Sequence, residues 1–155
     1  NKTAQVLAAL RGVMGPERFH QGLVEYGRRW IGRHPEPFDF FNTMSQVAGH
    51  DLSWFWNSWF ERGWSLDQAV DSVTTTGDSV TIVVSDRGLA IMPVRLVVTR
   101  ADSSVQQVEL PASVWLSGAR RATTRVAARA RVVKVDIDPD GQFPDVDREN
   151  NSLKR

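Results

Sequence analysis

Gly77-Asp78-Ser79-Val80-Thr81-Ile82-Val83-Val84-Ser85-Asp86-Arg87-Gly88 carries the reading that decides the fold. Val80, Ile82 and Val84 alternate with Thr81, Val83 and Ser85, the two-residue period of a strand that buries one face. Asp86-Arg87-Gly88 then supplies turn chemistry. The same period returns downstream, where Val94, Leu96 and Val98 alternate with Arg95, Val97 and Thr99 before a break at Ala101–Ser104. Further short strands are expected near 105–110, 114–116, 123–128 and 132–137, and a first one from about Val70. Six or seven strands at this spacing predict a small antiparallel, Ig-like β-sandwich over 70–138. The tail after Asp138, with Pro139, Gly141 and Pro144, reads as irregular.

Upstream of this stretch the period changes to that of helices. Val6, Leu7, Leu10, Val13 and Met14 form one apolar stripe, which Gly15-Pro16 ends. Phe19, Leu23, Tyr26 and Trp30 form a second. After the breaker 33–37, Phe40, Phe41, Met44, Val47 and Ala48 form a third, closed by Gly49. Asp51 is expected to cap a fourth helix with the face Leu52, Phe55, Trp56, Trp59 and Phe60, ending at Gly63. Trp54 lies off that face. A rigid contact centred on Trp59 is expected between this helix and either the sandwich or the preceding helices. The fold class is therefore α+β, with a helical domain over 1–67, a sandwich domain with an irregular tail over 68–155, and the junction near 64–69.

The 155 residues are 41% hydrophobic and 24% charged, enough for a packed core and unlike a disordered chain. There is no Cys, which excludes disulfides, thiolate nucleophiles and cysteine zinc sites. A net charge of +1 gives no global attraction to nucleic acid, and no apolar run is long enough for a membrane helix. The chain opens at Asn1 directly into a helical pattern, so it reads as a piece of a longer protein, and its compartment stays open.

His20, His34 and His50 do not share a helix face at the spacing of a zinc motif. Glu17 and His20 make one Glu-x-x-His step without a second, and a solvated first turn accounts for it. Asp136, Asp138 and Asp140, with Asp147 at the closing position, have the spacing of a calcium loop. Asp is short for that position, and Pro139 and Pro144 stiffen the loop, so a turn after the last strand is the favoured reading. Arg120, Arg121, Arg125, Arg129, Arg131 and Lys134 concentrate positive charge. A groove for polyanions would use such a cluster, but no aromatic residue is interleaved for base stacking and six carboxylates follow over 136–149, so solvated strand faces are the favoured reading. No serine has a recognisable His/Asp partner. No catalytic, cofactor or metal residue is assigned in this chain.

The order of these features resembles the aminopeptidase N family of zinc metallopeptidases (gluzincins). Asn1-Lys2-Thr3, Leu10-Arg11 and Gly15 look like the helix that follows a tyrosine in that family. Phe19, Tyr26 and Trp30 match the next helix, and Asp39, Phe40, Gly49, Asp51, Leu52, Phe55 and Trp59 the following block. Asp138-Pro139, Pro144-Asp145, Asp147-Arg148 and Asn150-Asn151 look like the closing tail of its bacterial branch. Gly63-Trp64-Ser65 departs from the family's Gly-x-Pro. The resemblance implies the end of a thermolysin-like catalytic domain followed by its β-sandwich neighbour. It also implies that the zinc ligands, catalytic glutamate and oxyanion-stabilising tyrosine lie upstream of Asn1. Zinc and a peptide substrate would then belong to the parent protein, the partner would be the upstream catalytic domain, and this fragment would be inactive. The alternative is a stand-alone helical and Ig-like module that binds a protein, glycan or polyanion.

Overall fold

Gly15 and Pro16 set the first corner of the chain. Gly15 takes φ 83°, and Pro16, whose missing N–H costs nothing in a first turn, starts the next helix. In the computed structural model, which describes residues 2–155, the helices are α1 (Lys2–Met14), α2 (Pro16–Trp30), α3 (Pro37–Ala48) and α4 (Ser53–Trp56). A π-helical turn, Asn57–Glu61, continues α4. The chain divides into one unit ending at Gly63 and a second, Trp64–Arg155. The fold is α+β.

In the helical unit, Pro37 opens α3 behind a reciprocal cap in which the Glu36 N–H donates to Asp39 Oδ2 at 2.8 Å. Gly49 closes α3 in the left-handed conformation, φ 76°, and Arg18 Nη1 donates to the freed Ala48 carbonyl at 2.7 Å. The second expected stripe keeps Phe19, Tyr26 and Trp30 half-buried and departs at Leu23. Gly22 is the fully buried residue of α2, while Leu23 stays 41% exposed. The reason is close approach: a Cβ on Gly22 would lie 2.6 Å from the buried Met44 sulfur of α3.

The fourth stripe also departs from a simple helix. Leu52 rather than Asp51 is the residue before the first turn, and Asp51 caps from outside, accepting from Ser53 N–H at 2.9 Å and from Ser53 Oγ. Arg62 N–H then reaches back to Asn57 O at 3.0 Å, a wider turn than the α-helix. That change breaks the expected residue-to-face mapping. Leu52, Phe55, Trp56 and Trp59 are buried, whereas Phe60 is 44% exposed. The ring stacked on α3 is Trp56, on Phe41, with centroids 4.4 Å apart and planes within 15°.

The second unit contains β1 (Gln68–Thr76), β2 (Ser79–Asp86), β3 (Val94–Arg100), β4 (Val105–Leu110), β5 (Arg121–Ala127), β6 (Val132–Ile137) and β7 (Ser152–Lys154). They form two antiparallel sheets, ordered β1-β2-β5 and β4-β3-β6-β7. Alternation decides which faces meet. Val80, Ile82 and Val84 of one sheet and Val94, Leu96, Val98, Val135 and Ile137 of the other are buried in one core. Each such side chain is worth roughly 1.5–3 kcal/mol of burial.

Two sequence expectations are corrected here. Residues 114–116 are not a strand. Pro111, with no N–H to extend a ladder, opens a 3-10 turn, Ala112–Trp115, in the crossing between sheets. Trp115 fills the core beneath it and donates from Nε1 to Met92 O at 3.0 Å. The tail, in turn, is not irregular to its end. It returns as β7, pairing Lys154, Leu153 and Ser152 with Lys134, Val135 and Asp136.

Candidate functional site

The tail residues form a polar latch at the end of the sandwich where β2, β4 and β6 finish. Asp138 adopts φ 44°, a conformation that Asp tolerates better than most residues, and is buried. Its carboxylate accepts from Gln142 N–H at 3.1 Å, Phe143 N–H at 2.8 Å and Arg148 Nη2 at 3.1 Å. Arg148 also donates to the Phe143 and Asp138 carbonyls. Asp145 accepts from Gln68 N–H at 2.8 Å and from Asn151 Nδ2 at 3.1 Å. Asn150 bridges Asp67 and Asp147. Asp145 and Asn151 thus tie the tail to Gln68 of β1 and Asn150 ties it to Asp67, while Asp138 and Arg148 hold the turn 138–148 together from within.

The four acidic positions with calcium spacing do not converge. Asp136 pairs with Lys134 at 2.8 Å, Asp138 is engaged as above, Asp140 is exposed, and Asp147 accepts from Glu149 N–H and Asn150 Nδ2. Glu17 and His20 share α2, His34 lies between α2 and α3, and His50 lies between α3 and α4; all four are exposed. Among the described residues, no group of three or more His, Asp or Glu is placed to hold a metal ion.

The basic cluster divides into paired and solvent-exposed residues. Arg120 pairs with Asp86 of β2 at 3.0 Å, and Arg121 with Asp71 of β1 at 3.2 Å. Lys134 pairs with Asp136 of its own strand, β6, at 2.8 Å. Arg125, Arg129 and Arg131 are exposed toward the opposite end of the sandwich. Burial pushes the Asp86 carboxyl above its usual range, a shift that the Arg120 guanidinium opposes without cancelling.

Beside the latch lies a groove of about 440 Å³ on the outer face of the four-stranded sheet. Its floor comes from β3 and β4, whose register sets Arg95 opposite Glu109 and Val97 opposite Gln107. The 138–142 turn walls it, contributing Asp140 and Gln142. Arg95 is held in place by Gln142 Oε1 at 2.7 Å, Glu109 at 3.4 Å and the Phe143 ring, whose centroid is 4.8 Å from the guanidinium carbon. Glu109 remains 59% exposed. The sequence reading passed over Arg95, Gln107, Glu109 and Gln142. Their signal was available in part: pairing the expected strands across the Ala101–Ser104 turn sets Arg95 and Glu109 on one face.

No protein-family model matches this chain, and no curated protein matches it. Among solved structures, the chain is similar to an aminopeptidase A of Legionella pneumophila, determined in complex with aspartic acid. The TM-score is 0.66 at 12% identity, over 93% of this chain and 17% of that one. The likeness is one of fold, and this chain spans only a small part of that structure's length.

Proposed function

We propose that this chain is the non-catalytic end of an aminopeptidase-like zinc metallopeptidase. In this reading the helical unit closes a catalytic domain, the sandwich supports it, and zinc and peptide substrate engage residues upstream in the same protein. The observation that carries the reading is the fold likeness to an aminopeptidase across 93% of the chain, helices and sandwich together. The tail of Asp138, Asp145, Arg148, Asn150 and Asn151 supports it as a structural fastening rather than a reactive group. Zinc in such an enzyme polarises the peptide carbonyl and activates water. The residues here do not fit that ion, since the three histidines are exposed on separate elements, and no step is assigned to them.

The test compares this chain with the complete product of its gene on aminoacyl anilides. The complete product is expected to carry H-E-x-x-H with a later Glu and a Tyr directly before Asn1, and to lose activity on chelation. This chain alone is expected to be inactive. About one tightly held zinc per isolated chain, or a complete product without the zinc motif, would overturn the proposal.

A further inference from the structure

The sandwich has four edge strands, and three of them are closed to further pairing. β1 is bulged between Val70 and Ser72, and the Val70 N–H is taken by Asn150 O at 3.1 Å. β7 is three residues long, and β5 carries Arg121 and Arg125 on its exposed row. These are the recognised ways of blunting an edge. β4 is neither bulged nor cut short, and its single charge is Glu109. Val105-Gln106-Gln107-Val108-Glu109-Leu110 pairs in continuous register with β3, contains no Pro, Lys or Arg, and leaves Val105 59% exposed.

The same strand forms one side of the groove. A strand added to β4 would lie about 4.8 Å away, with alternate side chains beside Gln107 and Glu109. Glu109 and Asp140 are exposed carboxylates there, and the Arg95 charge between them is already engaged by Gln142, Glu109 and Phe143. We propose that the free edge of β4, with its groove, takes up an extended peptide segment bearing Lys or Arg side chains as a fifth strand of this sheet. Backbone pairing supplies the attachment, and cross-strand contact of a basic side chain with Glu109 and Asp140 selects the segment. This inference stands apart from the peptidase reading.

The experiment uses the whole chain and a capped heptapeptide, TVKVKVT. Titration calorimetry is expected to show saturable binding, and amide exchange to slow at 105–110. TVEVEVT should bind about ten-fold or more weakly, and the exposed-site variant Asp140→Lys should weaken the lysine peptide while improving the glutamate one. Glu109→Gln provides a second variant, expected to weaken the lysine peptide. N-methylating the valine and lysine amides should abolish binding. Equal binding of the two peptides, undiminished binding of the N-methylated one, or protection elsewhere than β4 would overturn the proposal. So would a chain that sediments as a dimer with β4 already protected, because a second copy would then be the occupant.

Discussion

Gly88 offers the sharpest test of how the sandwich closes around its first strand. The turn after β2 passes so close to the approach to β1 that a Cβ on Gly88 would lie 2.3 Å from Ser65 O and 2.6 Å from Asp67 N. Both are backbone atoms and cannot swing aside. Two hydrogen bonds hold the approach, Arg87 N–H to Asp67 O at 2.7 Å and Ala90 N–H to Ser65 O at 3.0 Å. Gly88→Ala forces these segments apart. Overpacking costs about 1–3 kcal/mol, and losing or stretching the two bonds adds about 1 kcal/mol each. The expected loss is therefore about 3–5 kcal/mol, a large share of the 5–15 kcal/mol typical of a folded domain. Urea unfolding followed by β-sheet circular dichroism should show a midpoint lowered by more than about 1 M. Gly77→Ala is the control. Its φ of 55° is strained for Ala but nothing lies within 4 Å, so its cost should be about 1–2 kcal/mol. A Gly88→Ala midpoint no lower than that of Gly77→Ala would refute the close-packed turn.

Trp59 is 6% exposed and Trp54 half-buried against Phe55, so Trp59→Ala should cost roughly 3–5 kcal/mol and Trp54→Ala much less, measured on the helical transition. Asp138→Ala should destabilise the sandwich by about 3 kcal/mol, because two N–H groups and a guanidinium lose their acceptor. Asp138→Asn, which tolerates positive φ, should cost less, and calcium at sub-millimolar concentration should leave the wild-type melting temperature unchanged. Folding raises the Asp86 pKa, so its contribution to stability is fully present below the unfolded pKa and is lost as pH rises through the folded one. Wild type should accordingly gain stability relative to Asp86→Asn between pH 7 and about pH 4.5, read from urea midpoints; a difference independent of pH would contradict the raised value.

Periodicity made the elements with long, regular burial legible. β3 reads directly from sequence because Val94, Leu96, Val98 and Arg100 are all buried while Arg95, Val97 and Thr99 are not. It failed where one side chain fixes a segment through a distant contact. Trp115 is apolar and flanked by Val114 and Leu116, which looks like a strand, but Pro111 starts a turn and the Met92 carbonyl anchors the indole. In the fourth helix, Asn57–Glu61 widens into a π turn, which a 3.6-residue template cannot represent. Gly22 was invisible for a related reason. An apolar-stripe search rewards Leu23, whereas the helix contact is made by the residue that has no side chain.

The latch and the groove show why site residues are harder to read than strands. Asp138, Asp145, Arg148, Asn150 and Asn151 stand out in sequence because their order resembles a family tail, yet Asp145, Asn150 and Asn151 act through partners as far away as Asp67 and Gln68. The groove depends on them in turn. Arg148 and the Asp138 carboxylate fix the 138–142 turn, that turn presents Gln142 to Arg95, and Arg95 thereby stays over the Phe143 ring instead of reaching freely across Glu109. Loosening the latch should therefore alter the groove's charge as well as the sandwich's stability. With Asp138 removed, Arg95 loses its Gln142 anchor and can tighten the long 3.4 Å contact it already makes with Glu109, so a basic segment at the β4 edge should lose its selective contact. In Asp138→Asn, which keeps the turn, that contact should survive. Peptide titrations of the two variants, compared at a temperature where both are folded, separate this coupling from stability alone: equal affinities would mean that the groove and the latch are independent.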